Sequence, residues 1–199
     1  MAADRLARYH RLKGEPVFLL TGTDEHGQKI EQAARAEGMD PKAFADRTAQ
    51  TFQTLWPLLH IRYDRFIRTT DPDHVQVVQR ALQQLHHQLR RGLSTFFYCV
   101  SCETPWTLSD FAEATARVCP SCQRPVEAVE EENFFLALEP HREWLTAHIR
   151  QRPTFIQPES RRNEILALLE HPLPELCLTR PKARIAWGIA VPFSDQHVT

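Results

Sequence analysis

Four of the chain's five cysteines fall in one stretch, as Cys99-Val-Ser-Cys102, sixteen further residues, and then Cys119-Pro-Ser-Cys122. Two residues between thiols let a tight turn aim both sulfurs at one point. Two such turns facing each other complete a tetrahedron around zinc, with Zn–S bonds of about 2.3 Å. Pro120 stiffens the second turn. Two disulfides or four unrelated buried thiols would use the same residues, but neither explains why the paired spacing occurs twice. The residue after the second cysteine of such a turn is often glycine, which takes positive φ without steric cost, and here Gln123 stands there. Thiolate fills all four coordination positions and leaves none for water, so the metal is expected to be structural rather than catalytic. The zinc ligands Cys99, Cys102, Cys119 and Cys122 therefore do not name a reaction.

At 199 residues the chain has room for one domain with an insert, or for two small domains. It is 42% apolar and 25% charged, with a formal net charge of −1. That balance excludes a surface that is basic throughout, so any contact with RNA has to be local. Residues 1–14 are studded with charge and lack the apolar core of a signal peptide, and no apolar run approaches a membrane span. Paired C-x2-C motifs without a secretory signal suit a reducing compartment, so a cytoplasmic location is expected.

Along the chain, residues 2–13 carry Leu6, Tyr9 and Leu12 at helical spacing, with Gly14 placed as a left-handed cap. Val17-Phe-Leu-Leu20 is a short continuous apolar run, which predicts a strand buried on both faces. Thr21-Gly-Thr-Asp-Glu-His-Gly27 then forms a polar loop at the strand's carboxyl end, where open α/β sheets bind ligands. A helix over residues 28–37 is stopped by Gly38. Asp40-Pro41 starts another, whose apolar face is Phe44, Phe52, Leu55 and Leu59. Residues 63–68 read as a strand, and Asp71-Pro72 opens a helix stepping through Val75, Val78, Leu82, Leu85 and Leu89, with His86 and His87 on its solvated side.

This order is half of a doubly wound α/β domain, and the metal segment interrupts it. Arg90-Arg91-Gly92 marks the boundary. After the cysteines come a strand candidate over residues 126–129 and Glu130-Glu131-Glu132, read as a solvated face. Helices follow at residues 139–148 and 163–169, and residues 175–179 are expected as a strand of the main sheet, with Cys177 a buried, inert thiol.

Neither G-x-G-x-x-G nor a P-loop occurs, and six glycines leave little scope for a glycine-built phosphate cradle. The chemistry available in residues 21–27 is Asp24, a carboxylate able to receive a cation or ribose hydroxyls, and His26, a donor to phosphate. A capped turn is the competing reading of the same residues, since polar strand-end loops are common in α/β proteins.

Four groups of residues carry a family resemblance. Residues 2–14 followed by Val17-Phe-Leu-Leu-Thr-Gly-Thr-Asp-Glu-His-Gly-Gln-Lys-Ile30 resemble methionyl-tRNA synthetase, a class I enzyme. Tyr98-Cys-Val-Ser-Cys-Glu103 resembles the zinc knuckle of that family's connective-peptide insert, and Glu131-Glu-Asn-Phe-Phe135 the segment after it. Trp187-Gly-Ile-Ala-Val-Pro192 resembles the return to the catalytic fold, with Ala190 where proline is usual. The resemblance implies a partial Rossmann-type parallel sheet interrupted by a small zinc-knuckle insert. Residues 1–90 would be the first part of the split catalytic domain, 91–162 the insert and 163–199 the return. It implies ATP-dependent activation of methionine and transfer to tRNA, with Asp24 and Arg180 binding substrate from the ends of neighbouring parallel strands. A carboxylate suits the ammonium of a zwitterionic substrate and a guanidinium its carboxylate, although a plain salt bridge between Asp24 and Arg180 would use the same charges.

The family's His-Ile-Gly-His and Lys-Met-Ser-Lys-Ser motifs are absent from the 199 residues. A truncated form is therefore expected, inactive alone unless a complementing chain supplies the missing parts of the sheet. A zinc module that binds RNA or a protein without catalysis is the alternative.

Overall fold

The computed structural model describes residues 2–111 and 117–199. The first helix, α1 (Ala2–Leu12), forms where the spacing predicts it, but it buries Ala7 and Asp4. Leu6, Tyr9 and Leu12 stay 62%, 55% and 88% exposed. Apolar periodicity identifies the helix, whereas the side that packs is the one a neighbour can reach.

The strand expected at residues 17–20 lies three residues later, as β1 (Leu20–Thr23), paired in parallel with β2 (Arg65–Arg68). Partner availability causes the shift. The ladder opens where the Asp64 and Arg65 amides donate to the Leu19 carbonyl, and the Leu19 amide donates to the Asp64 carboxylate at 2.6 Å. Phe18 lies ahead of that point and is 71% exposed. Gly22 sits within the strand, where an added Cβ would stand 1.8 Å from the Ile67 carbonyl oxygen, so only glycine allows this approach.

Between these strands run α2 (Gln28–Ala36) and α3 (Pro41–Leu58). Gly38 ends the first at φ 64°. Asp40 caps the second, accepting from the Lys42 and Ala43 amides at 3.0 and 3.2 Å. The buried residues of this pair are the small Ala34, Ala45 and Ala49, while Phe52, Leu55 and Leu59 of the expected apolar face are 38–40% exposed. Helix α4 (Pro72–Leu85) buries Leu82. His86 is exposed and stacks on Phe193, with ring centroids 4.1 Å apart.

Leu89, expected as the last helical contact, instead begins β3 (Leu89–Cys99). The Arg90-Arg91-Gly92 boundary therefore lies inside a strand. It pairs antiparallel with β5 (Glu127–Leu136), from Leu89 opposite Leu136 to Tyr98 opposite Glu127. Both arginines find carboxylates: Arg91 meets Glu132 at 2.7 Å, and Arg90 pairs with Glu175. With β4 (Thr104–Trp106) on one side and β6 (Leu176–Cys177) on the other, the sheet order is β4-β3-β5-β6. Helices α5 (Glu139–Gln151) and α6 (Glu159–Leu168) fall between β5 and β6. The segment 175–179, expected in the parallel sheet, thus pairs antiparallel with β5, Cys177 opposite Phe135. Last come β7 (Arg180–Pro181) and β8 (His197–Val198), an antiparallel pair. The fold is mixed α/β, with a parallel pair at one end of the sequence and an antiparallel sheet carrying the cysteines.

Candidate metal centre and substrate loop

The two cysteine turns meet because β3 and β5 pair along their whole length: Cys99 closes β3, and Cys119 and Cys122 precede β5. The sulfurs of Cys99 and Cys122 are 3.6 Å apart and those of Cys102 and Cys119 are 3.9 Å apart. All four lie within 4.8 Å of one another. A tetrahedron with metal–sulfur bonds of about 2.3 Å has edges of about 3.8 Å, whereas a disulfide needs about 2.05 Å. The donor set fits a metal ion and the thiols are free, so the disulfide reading falls away.

The turn at the second cysteine of each pair is reached without glycine. Glu103 and Gln123 occupy the left-handed region at φ 53° and 61°. Backbone hydrogen bonds hold the second turn there, from the Gln123 amide to the Cys119 carbonyl at 2.9 Å and from the Cys119 amide to the Arg124 carbonyl at 2.8 Å. Burial opposes ionisation of Cys119, but the backbone amides of Cys122 and Ser121, with the Cys99 and Cys122 thiols, outweigh it and bring its pKa down to about 6. The Cys122 thiol and burial push Cys102 up to about 12. Four sulfurs this close cannot ionise independently, and a cation is what lets all of them be thiolates together. Cys177 is outside the cluster; its thiol donates to the Thr179 carbonyl at 3.6 Å and meets Arg180 Nη1 at 3.0 Å.

At the carboxyl end of β1, Asp24 is exposed and enters no ion pair among the described residues. Its neighbour Glu25 is the anchored carboxylate, 3% exposed. Arg68 donates to it twice, at 2.6 and 2.9 Å, and the Thr23 and Thr70 hydroxyls donate at 2.6 and 2.5 Å. The Trp187 indole donates to the Glu25 carbonyl, and the Gly27 amide donates to the Trp187 carbonyl at 3.3 Å. His26 lies 5.2 Å from the Trp187 ring, and burial lowers its pKa against the pull of Asp24 and Glu25.

Arg180 lies on β7, outside the parallel pair, which corrects its expected place at the end of a parallel strand. Its Nε is 3.8 Å from Glu131 Oε1, so among the described residues Arg180 pairs with Glu131 and not with Asp24. Glu131 corrects a second expectation: strand alternation turns it inward, 7% exposed, out of the acidic run read as solvated. Arg184 donates to both its oxygens, at 2.5 and 3.1 Å, and Asn133 donates at 2.9 Å. Arg184 Nη1 also reaches Gln28 Oε1, at the start of α2, at 3.4 Å. One carboxylate therefore ties Arg180 to the helix that follows the Asp24 loop. Sequence reasoning missed Glu25, Glu131 and Arg184; for Glu131 the signal available was the period-two placement of Val129, Glu131 and Asn133 on one face of β5.

The family model described as tRNA synthetases class I (M) matches residues 1–129 and 112–199. The chain belongs to this family. Among its relatives, methionine–tRNA ligases of Caldanaerobacter subterraneus subsp. tengcongensis and Thermotoga maritima are each 43% identical over 100% of the chain. The chain spans 31% and 32% of those proteins, about a third of their length. Mycobacterium tuberculosis methionyl-tRNA synthetase bound by methionyl-adenylate superposes with a TM-score of 0.88 at 35% identity, over 99% of this chain and 39% of that one. The free form of that enzyme gives 0.74 at 31% identity, over 100% and 38%.

In this synthetase-family chain the Glu25 cluster makes a pH prediction. Burial by itself raises the Glu25 carboxyl, but Arg68 and the Thr23 and Thr70 hydroxyls outweigh it and hold its pKa below the ordinary 4.5. A folded pKa below the unfolded one gives stability that is fully present above about pH 4.5 and is lost as pH falls through the lowered folded value. Denaturant unfolding followed from about pH 6 to about pH 3 should therefore lose stability, and Glu25→Gln should flatten that slope. An equal slope in the variant would assign the acid sensitivity elsewhere.

Proposed function

We propose that this chain is part of a methionine–tRNA ligase, contributing to ATP-dependent activation of methionine and its transfer to tRNA in the cytoplasm. The observation that carries this reading is the match of the class I (M) family model along the whole chain. Superposition on Mycobacterium tuberculosis methionyl-tRNA synthetase over 99% of the chain supports it. In this reading residues 1–90 and 163–199 belong to the split catalytic domain and 91–162 to the insert, with β6 returning from the last segment to the insert's sheet. Zinc on Cys99, Cys102, Cys119 and Cys122 holds the two knuckles at the ends of β3 and β5 and takes no part in the reaction.

Asp24, exposed and without an ionic partner, receives the substrate ammonium. Arg180 offers guanidinium donors to the carboxyl or phosphoryl group, and the Glu25–Arg68 cluster keeps the Asp24 loop in place. Among the described residues no helix is long and apolar enough to cross a membrane. A non-hydrolysable methionyl-adenylate analogue titrated calorimetrically into the zinc-loaded protein tests the assignment. Asp24→Asn and Arg180→Gln are each expected to weaken binding about tenfold or more, since each removes a hydrogen bond to a charged group. Unchanged affinity in both variants would overturn it.

A further inference from the structure

The Asp24 loop leaves the carboxyl end of β1. At the opposite, amino ends of β1 and β2, the last turns of α1 and the connection from α3 to β2 border a cavity of about 730 Å³. Arg8, Arg11 and Leu12 line it from α1, and His60, Ile61 and Arg62 line it from the connection. Among the described residues no Asp or Glu lines it, and it shares no lining residue with the cysteine cluster, Asp24 or Arg180. A volume of this size suits a small organic ligand.

Two of the three arginines build the walls. Arg8 donates from Nε to Asp4 at 2.8 Å and from Nη2 to the His60 carbonyl. Arg11 donates to the Arg62 carbonyl at 3.1 Å and to the Asp64 carboxylate at 2.9 Å. Each is neutralised by an acid, and each ties α1 to a carbonyl of the facing connection, so the walls are fixed before any ligand arrives. Arg62 itself is exposed and enters no ion pair among the described residues. His60 stops α3 at φ 53°, where glycine is usual, with its amide on the Pro57 carbonyl and the Ile61 amide on the Trp56 carbonyl, both at 2.9 Å. An imidazole thus lines the cavity on a turn that glycine would make without steric cost. The helix dipole accounts for Arg11 in the last turn of α1, but not for Arg62 or for histidine in the left-handed turn.

We propose that this cavity binds an amphiphilic monocarboxylate, with its carboxylate on Arg62 and the His60 ring N–H and its hydrocarbon chain along Leu12 and Ile61. Three arginines against Asp4 and Asp64 leave one guanidinium uncompensated, which balances a single negative charge, and its planar fork matches a carboxylate. A phosphate dianion would be left half neutralised. Leu12 is 88% exposed, and a chain lying on it and on Ile61 removes apolar surface from water. The proposal goes beyond the synthetase reading, because none of these residues belongs to the metal centre or to the proposed methionine site; either can fail alone.

Calorimetric titration of decanoate into the zinc-loaded 199-residue protein, with and without excess methionine, tests it. Saturable binding that methionine leaves unchanged is expected. Arg62→Gln should weaken it about tenfold or more, since it removes a hydrogen bond between two charged groups. Leu12→Ser should weaken it several-fold through lost apolar contact. His60→Gly should also weaken it several-fold while its urea midpoint stays at or above that of the parent, because glycine relaxes the left-handed turn; lost binding is thereby separated from lost fold. Decanol, which lacks the charge, should bind at least tenfold more weakly than decanoate, and inorganic phosphate at equal concentration should not displace decanoate. Absence of saturable decanoate binding, or an affinity that Arg62→Gln leaves unchanged, overturns the proposal. Displacement by methionine overturns it too, by placing the ligand at the methionine site. Equal affinity for decanol, or displacement by phosphate, overturns the assignment to a carboxylate.

Discussion

Cys119→Ser is expected to release the metal and unfold the region formed by the end of β3, β4 and the turn leading into β5. Cys119 is fully buried, and its sulfur lies 3.9 Å from that of Cys102, so a serine hydroxyl there breaks the tetrahedral set from inside. Among the described residues the other contacts of this region are small ones, the isolated Val118–Pro125 bridge, the Phe97–Phe111 edge contact and Arg117 over the Phe97 ring. Strand β4 has three residues, and both knuckle turns end on non-glycine residues at positive φ. Folding free energy must therefore come from metal binding, which supplies on the order of 10 kcal/mol in structural zinc sites. The ligands have to be thiolates, so acid releases the metal by protonating them. Elemental analysis of zinc-loaded protein should give one zinc per chain for the parent and for Cys177→Ser, whose thiol is committed to Thr179 and Arg180. Full zinc content in Cys119→Ser would rule the site out.

Glu131→Ala is expected to destabilise the fold by about 3–5 kcal/mol, the cost of leaving a buried cation without its partner. The Glu131 side chain is 5% exposed and that of Arg184 17%, so solvent screens the pair weakly. Arg184 is also fixed by the Phe96 and Tyr98 rings, 5.9 and 5.3 Å from its guanidinium carbon, and cannot swing out to water without giving up that contact. Its link to Gln28 would loosen as well, so the loss should spread from the antiparallel sheet to the start of α2. Urea unfolding measures the change. Replacing both partners, Glu131→Leu with Arg184→Met, should recover much of the loss, because two apolar groups leave no unpaired charge. A loss under about 1 kcal/mol in Glu131→Ala would show that the pair is screened like a surface salt bridge.

Much of the metal centre was legible because C-x2-C is a local instruction: two residues set the angle between neighbouring thiols wherever the turn lies. The Asp40 cap and the Gly38 stop are local in the same sense, and both stand where residue order places them. The family too could be read from contiguous motifs. Strand limits could not. Residues 17–20 and 90–92 carry no record of which segment will pair with them, so β1 began three residues late, and a presumed boundary became the first part of β3. Glu25 and Glu131 were hidden for a related reason. A carboxylate in an acidic run reads as solvated until a guanidinium from 43 or 53 residues away arrives to neutralise it. The sequence by itself determined the Asp40 cap, the Gly38 stop, the paired cysteine turns and the family, all carried by residues close together in the chain. Strand register, the side each helix buries and the partners of the buried charges were decided only by tertiary structure, because each depends on atoms supplied from a distant part of the chain.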